Sequence, residues 1–166
     1  MYMCEMSIEV VGRVEASSIL CSSELCRQIT CLVSIGESHD ELPTGFENVT
    51  RRLRLVFADH IEGPGCPTEE HISDIIGLAE SLRVCAGKVL VHCEAGVSRS
   101  SAAALIMYAY WFGAGQEQQA LERVLQQRPV ARPNSLMVFI ADKLMERGGR
   151  LVKAVQVYEE RVINSA

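Results

Sequence analysis

The sequence predicts an α/β fold: a central, mostly parallel sheet of about four to five strands flanked by helices, with a helical C-terminal half. Three observations predict it. Short apolar runs of strand length, Ile29 to Ile35 and Lys88 to Val91, alternate with longer stretches of helical periodicity. Gly- and Pro-containing segments punctuate the joins. Beyond Val91 the pattern is mostly helical. The 166 residues read as one domain, 1–166, long enough to bury a core.

Taken in order, Ile8 to Val11 reads as a short first strand, and residues 15–28 as helical or irregular. Ile29 to Ile35 is continuously apolar and ends at Gly36 and a polar segment reaching Asn48. Arg52 to Phe57 alternates, with Leu53, Leu55 and Phe57 on one side and Arg52 and Arg54 on the other, which predicts a half-exposed strand. A loop from Ala58 to Pro67 follows. The next helix carries Glu69 and Glu70 in its first turn, where the helix dipole favours them, and Ile72, Ile75, Ile76, Ala79 and Leu82 along one face. Lys88 to Val91 is apolar on both faces and suits the middle of a sheet. Ser100 to Phe112 is too apolar to be amphipathic and is expected to run through the core. Gln116 to Gln127 is expected to bury Ala120, Leu121, Val124 and Leu125 before Pro129 stops it. Asn134 can cap a helix using Leu136, Phe139, Ile140 and Leu144 that ends at Gly148-Gly149, and a final helix carries Leu151, Val152, Val155 and Tyr158.

Bulk properties narrow the function classes. A net charge of −5 speaks against broad attraction to nucleic acid or anionic membrane, while leaving room for a local positive pocket. The longest uncharged stretch, Ser100 to Gly115, falls short of the roughly 20 apolar residues of a membrane span. Glu5, Glu9, Arg13 and Glu15 punctuate Met1 to Leu20, unlike a secretory leader. Seven cysteines, an odd number with no leader, point to reduced thiols and a cytoplasmic location. Cys21, Cys26 and Cys31 recur at every fifth residue but lack a CxxC pair and a nearby fourth ligand, so they read as ordinary buried cysteines and no metal or cofactor is expected.

The chemistry concentrates in VHCEAGVSRSS, Val91 to Ser101. An apolar strand ends at His92-Cys93, a loop containing Gly96 follows, and a long helix begins near Arg99. Ligands in open α/β sheets gather at the carboxyl ends of strands. A loop winding into a helix N-terminus turns successive N–H groups toward one point and makes an anion nest. A cysteine facing such a nest and a cation has a depressed pKa and is the reactive thiolate form. Arg99 offers a planar, permanently charged fork for two phosphate oxygens. The pattern is therefore a phosphate cradle, Glu94, Ala95, Gly96, Val97, Ser98 and Arg99, with the Cys93 sulfur at its centre.

This stretch resembles the HC-x5-R-(S/T) signature of the cysteine-dependent protein phosphatases, and its HCxAGxSRS wording is most similar to the dual-specificity branch. The likeness extends over roughly residues 5–147. It implies a phosphotyrosine-phosphatase-like fold and a phosphocysteine intermediate on Cys93. It further implies that Arg99 holds the phosphoryl group, that Ser100 eases departure of the sulfur, and that His92 orients the loop and helps keep the thiol ionised without being the proton donor. The family draws its general acid from an aspartate about thirty residues before the nucleophile. Asp59, 34 positions before Cys93 and directly after a predicted strand, stands there. Glu62 and Asp74 are competing acids, and His60 is a loop histidine that could contact substrate. Asn134, in RPxxRPN, matches an asparagine of the family that braces the phosphate loop, with plain N-capping the alternative. Arg128 and Arg132 could add positive potential near the mouth and carry no assigned role.

With so short a chain, the resemblance implies a shallow site for phosphotyrosine, and for phosphoserine or phosphothreonine, on a protein or peptide. Against the family's lipid-phosphate members, the loop positions Glu94, Ala95 and Val97 are not basic, and the overall acidity speaks against RNA 5′ ends. Three other readings stand beside this one. The low-molecular-weight phosphatase and arsenate reductase group places its Cys-x5-Arg loop near the N-terminus, unlike Cys93. A catalytically weak phosphate-recognition module would share the fold, and a second cysteine could rescue an oxidised Cys93.

Overall fold

The structure, a computed structural model, describes residues 5–166, so Met1 to Cys4 of the stretch read as lacking a leader lie outside it. Four parallel strands form one sheet in the order β1-β4-β2-β3, with β1 Glu5–Gly12, β2 Ile29–Gly36, β3 Arg52–Val56 and β4 Ala86–Cys93. All strands are parallel, so their carboxyl ends Gly12, Gly36, Val56 and Cys93 lie along one edge, where functional loops collect. Helices α1 (Arg13–Cys21) and α2 (Ser23–Cys26) follow β1, and α3 (Glu69–Leu82) precedes β4. Then come α4 (Arg99–Phe112), α5 (Glu117–Gln127), α6 (Ser135–Leu144) and α7 (Arg150–Asn164).

Side chains of a strand alternate between the two faces, and each face has its own core. Val89, Val91 and Cys93 join the larger cluster with residues of α3 to α7. Leu90 joins Val11, Leu32, Ala16 and Leu20 on the opposite face, beneath α1. Cys93 and His92 therefore leave β4 on opposite sides. Arg99 through Ala109 of α4 are all buried, as its unbroken apolar sequence predicts. None of the described helices is long and apolar enough to cross a membrane.

Three expectations need correction. In α6 the buried face is Met137, Val138, Ile140, Ala141 and Asp142, while Phe139 is 52% and Leu144 40% exposed. The reason is Asp142, which turns inward to accept the N–H groups of Gly149, Leu151 and Val152 at the start of α7 and so rotates the helix. The three regularly spaced cysteines are not alike, because Cys31 is buried in β2, Cys26 half-buried and Cys21 exposed. Arg54, placed by alternation on an exposed face, is half-buried and hydrogen-bonded within the protein.

Candidate active site

The loop between β4 and α4 is built from its carbonyls outward. Glu94 O accepts Arg13 N–H at 3.0 Å, and Val97 O accepts Arg132 N–H at 2.8 Å. Ser98 O accepts the N–H groups of Asn134 at 3.2 Å and Ala102 at 3.1 Å. Arg128 supplies the rest, with Nε on Gly96 O at 3.0 Å and Nη2 on Ala95 O at 3.2 Å, while Glu15 holds the guanidinium from the far side at 3.0 and 3.1 Å. Every carbonyl from Glu94 to Ser98 is thus engaged on the outside of the curve. Among the described residues, none of the N–H groups of Glu94 to Ser98 has a protein acceptor. A curve with its carbonyls tied outward presents its amide hydrogens inward, which is the geometry of an anion nest.

Gly96 makes the curve possible. Its φ is +70°, and a Cβ there would overlap Val11 C and Gly12 N. Gly12 is needed for the same approach, since a Cβ on it would meet Glu94 O at 2.9 Å.

Cys93 and Arg99 keep only 3% and 6% of their surface, so packing holds both in place. Cys93 Sγ lies 3.1 Å from Ser100 Oγ, within hydrogen-bonding reach. Arg99 turns inward, donating from Nη1 to Phe57 O at 2.8 Å, which ties the cradle to the segment before Asp59. Its Nε is the one buried side-chain polar atom without a partner among the described residues. A buried N–H left unsatisfied costs about 1–3 kcal/mol, more when charged, so the site calls for an acceptor there. An anionic oxygen satisfies it.

His92 lies behind the loop, its ring 3.0 Å from Cys93 O through Nδ1 and 2.6 Å from Ser34 Oγ through Nε2. Burial, together with the nearby Arg54 and Arg13 charges, pushes its pKa down. The ring thus reaches the Cys93 carbonyl, the contact through which a neutral imidazole would orient the loop.

Asp59 lies against the end of the loop, at Ser98. Its Oδ1 accepts both Ser98 Oγ at 2.7 Å and Asn134 Nδ2 at 2.8 Å, and these two donors fix the carboxyl by one oxygen. The Asn134 side chain caps α6 through Oδ1 on Met137 N–H, and its Nδ2 also reaches His60 O at 3.2 Å, so its contact with the phosphate loop is the backbone N–H on Ser98 O. Of the competing acids, Asp74 is exposed on α3 and Glu62 is exposed in the loop. The Glu94 side chain, grouped with the cradle in the sequence, instead pairs with Arg13 at 2.9 Å, so its contribution to the cradle is its backbone. Glu37, His39 and Asp40 bring three ligand-type atoms within 4.8 Å of one another on a partly exposed loop after β2.

Arg128 is the functional residue that sequence reasoning left unassigned. The signal was its place in RPxxRPN beside Asn134, but an arginine on a helix end is ordinarily solvated, and only the fold brings it under Ala95 and Gly96. Arg128→Ala is expected to leave those two carbonyls without their donor, lowering stability by about 1–3 kcal/mol and kcat by about tenfold. Urea denaturation and steady-state kinetics check the two effects separately.

No family model matches the chain. Dual specificity protein phosphatase 15 of Rattus norvegicus is 35% identical over 107 residues, 64% of this chain and 42% of that protein. Dual specificity protein phosphatase 5 of the same species is 36% identical over 101 residues, 55% of this chain and 26% of that protein. The chain thus spans less than half the length of these curated relatives. The crystal structure of DUSP15 superposes with a TM-score of 0.65 at 25% identity, over 97% of this chain and 95% of that one. Human DUSP28 gives 0.63 at 21% identity, over 84% and 88%, a likeness of fold. Sheet order and relatives together support a likeness to the cysteine-dependent protein tyrosine phosphatase superfamily, and within it to the dual-specificity branch.

Proposed function

We propose that this protein hydrolyses phosphate monoesters on phosphorylated proteins or peptides, phosphotyrosine and also phosphoserine or phosphothreonine, through a phosphocysteine intermediate. The observation that carries the reading is the pairing of an outward-bonded loop, Glu94 to Ser98, with the partnerless buried Nε of Arg99. Five amide hydrogens without protein acceptors and a guanidinium beside them suit a phosphoryl group whose charge spreads over three equatorial oxygens.

In the first step the Cys93 thiolate attacks phosphorus, the bond to the ester oxygen breaks, and Asp59 gives that oxygen its proton. In the second, Asp59 takes a proton from water as the water oxygen attacks phosphorus. The sulfur–phosphorus bond breaks, Ser100 donates to the departing sulfur from 3.1 Å, and inorganic phosphate leaves. The thiol is itself the nucleophile and Arg99 supplies the positive charge, so neither task calls for a cation.

A cytoplasmic site of action belongs to this reading, supported by the six described cysteines, all free thiols. Release of p-nitrophenol from p-nitrophenyl phosphate, undiminished by EDTA, is the expected result, followed by turnover of a phosphotyrosine peptide. The human tyrosine phosphatase-like serine/threonine/tyrosine-interacting protein also superposes, with a TM-score of 0.57 at 25% identity. Phosphopeptide binding with no phenol release would replace the hydrolase reading with a recognition module.

A further inference from the structure

Three neighbouring strands place Arg54, Ser34 and His92 in one register row, Arg54 opposite Ser34 and Ser34 opposite His92. Their side chains form a continuous hydrogen-bonded line. Arg54 Nη1 donates to Ser34 Oγ at 2.9 Å, Ser34 Oγ lies 2.6 Å from His92 Nε2, and His92 Nδ1 lies 3.0 Å from Cys93 O. Arg54 is steadied at its other end, where Nη2 reaches Glu37 O at 3.4 Å beside Asp40. Gly36 leaves room for it, since a Cβ there would meet Nη2 at 2.9 Å and Nη1 at 3.1 Å.

Proton counting gives the line a direction. A guanidinium only donates, and a carbonyl only accepts. The Cys93 carbonyl therefore requires a hydrogen on His92 Nδ1. A neutral ring then has a bare Nε2, which must accept from the Ser34 hydroxyl. Arg54 completes this arrangement by occupying one of the two Ser34 lone pairs, which favours the rotamer whose hydroxyl hydrogen points at the ring. Without Arg54, Ser34 is free to rotate and accept from Nε2–H, and the ring can hold that proton as the other tautomer or as imidazolium. In the other tautomer a bare Nδ1 would face the Cys93 carbonyl. The charged groups acting on His92 are Arg54 from β3, Arg13 from α1 and Glu94 from the loop, and the Arg54 charge opposes protonation of the ring.

We propose that Arg54 is a positioning residue of the phosphate loop, acting through Ser34 to fix His92 as the Nδ1–H tautomer that holds the carbonyl of the nucleophile Cys93. The role rests on the phosphatase reading only where kinetics are measured, because the tautomer is observable without turnover. It also separates Arg54 from a simple contributor to positive potential, which would act on substrate binding and leave the ring unchanged.

The test is 15N NMR of histidine-labelled protein, with the His92 signal assigned by comparison with His92→Asn. Wild-type His92 is expected to be the neutral Nδ1–H form at pH 7, with its titration moved to lower pH than that of a free histidine, whose charge changes over about pH 5 to 8. Arg54→Met is expected to populate Nε2–H and to bring titration of the ring into that interval. With p-nitrophenyl phosphate its kcat should fall about tenfold, the worth of one net hydrogen bond, at nearly constant KM. Arg54→Lys, which keeps a charged donor, should recover most of both. An unchanged His92 spectrum in folded Arg54→Met overturns the proposal, as does a rise in KM with kcat preserved. Should thermal unfolding show that Arg54→Met does not fold, Gly36→Ala decides. Its methyl displaces the guanidinium while keeping the charge, so the same spectral change is expected, and its absence overturns the proposal. Absence of phenol release by the wild-type protein would sink the phosphatase reading, and the NMR spectra alone would then decide the role of Arg54.

Discussion

Cys93→Ser is expected to lower turnover by on the order of 10⁴-fold or more while leaving phosphopeptide affinity within a few-fold of wild type. A serine hydroxyl is smaller than the thiol and carries no negative charge at neutral pH, so the attacking anion is lost without crowding the cradle. The elements that grip the phosphoryl group stay in place, because the Glu94 to Ser98 carbonyls remain tied to Arg13, Arg128, Arg132 and Asn134. Arg99 also remains anchored on Phe57 O. Calorimetric titration with a phosphotyrosine peptide and a multiple-turnover assay measure the two halves of the expectation. Sustained turnover by the variant would remove Cys93 from the mechanism, whereas loss of binding would mean that the sulfur organises the cradle.

The second large effect is expected at Asp59. Asparagine can present its carbonyl oxygen to Ser98 and Asn134 as Oδ1 does now, so the loop geometry should survive. What disappears is the proton for the leaving oxygen. For alkyl phosphates and aryl phosphates of poor leaving ability the loss in kcat/KM is expected to be about 10²–10⁴-fold, the usual worth of general acid catalysis. For p-nitrophenyl phosphate, whose phenolate departs readily, the loss should be much smaller. A series of substituted phenyl phosphates would read this as a steeper dependence of rate on leaving-group pKa. Parallel lines for wild type and Asp59→Asn would move the acid elsewhere, with the exposed Glu62 the first candidate.

Much of the site was legible because its information is local. Cys93, Gly96, Arg99 and Ser100 lie within eight consecutive positions, and a strand running into a helix is enough to say that their backbone curves around an anion. Strand and helix positions followed from periodicity for the same reason, with bounds shifted by one to a few residues in the structure: β1 begins earlier, at Glu5, and α6 stops at Leu144, short of the Gly148-Gly149 expected to end it. Arg128 and Arg54 escaped because each acts on residues distant in the chain: Arg128 on Gly96, 32 positions away, and Arg54 on Ser34, 20 positions away. The amphipathic reading of α6 failed for a related reason. Hydrophobicity scoring puts an aspartate outside, whereas Asp142 turns inward to cap the following helix. Likewise Glu117, in the first turn of α5, is buried against Arg147 at 2.9 Å, a pairing no single-helix pattern reveals.

The sequence by itself determined the parallel α/β order, the cradle between β4 and α4 and the nucleophile it surrounds, since each depends on neighbours along the chain and on alternation that burial enforces. Tertiary structure decided what aims the chemistry. Asp59 is held by one oxygen between Ser98 and Asn134, the loop is clasped from outside by Arg128, and His92 is tied across two strands to Arg54. These are hydrogen bonds between segments whose relative placement depends on how the sheet orders its strands and where the helices pack, and that ordering is a property of the whole core.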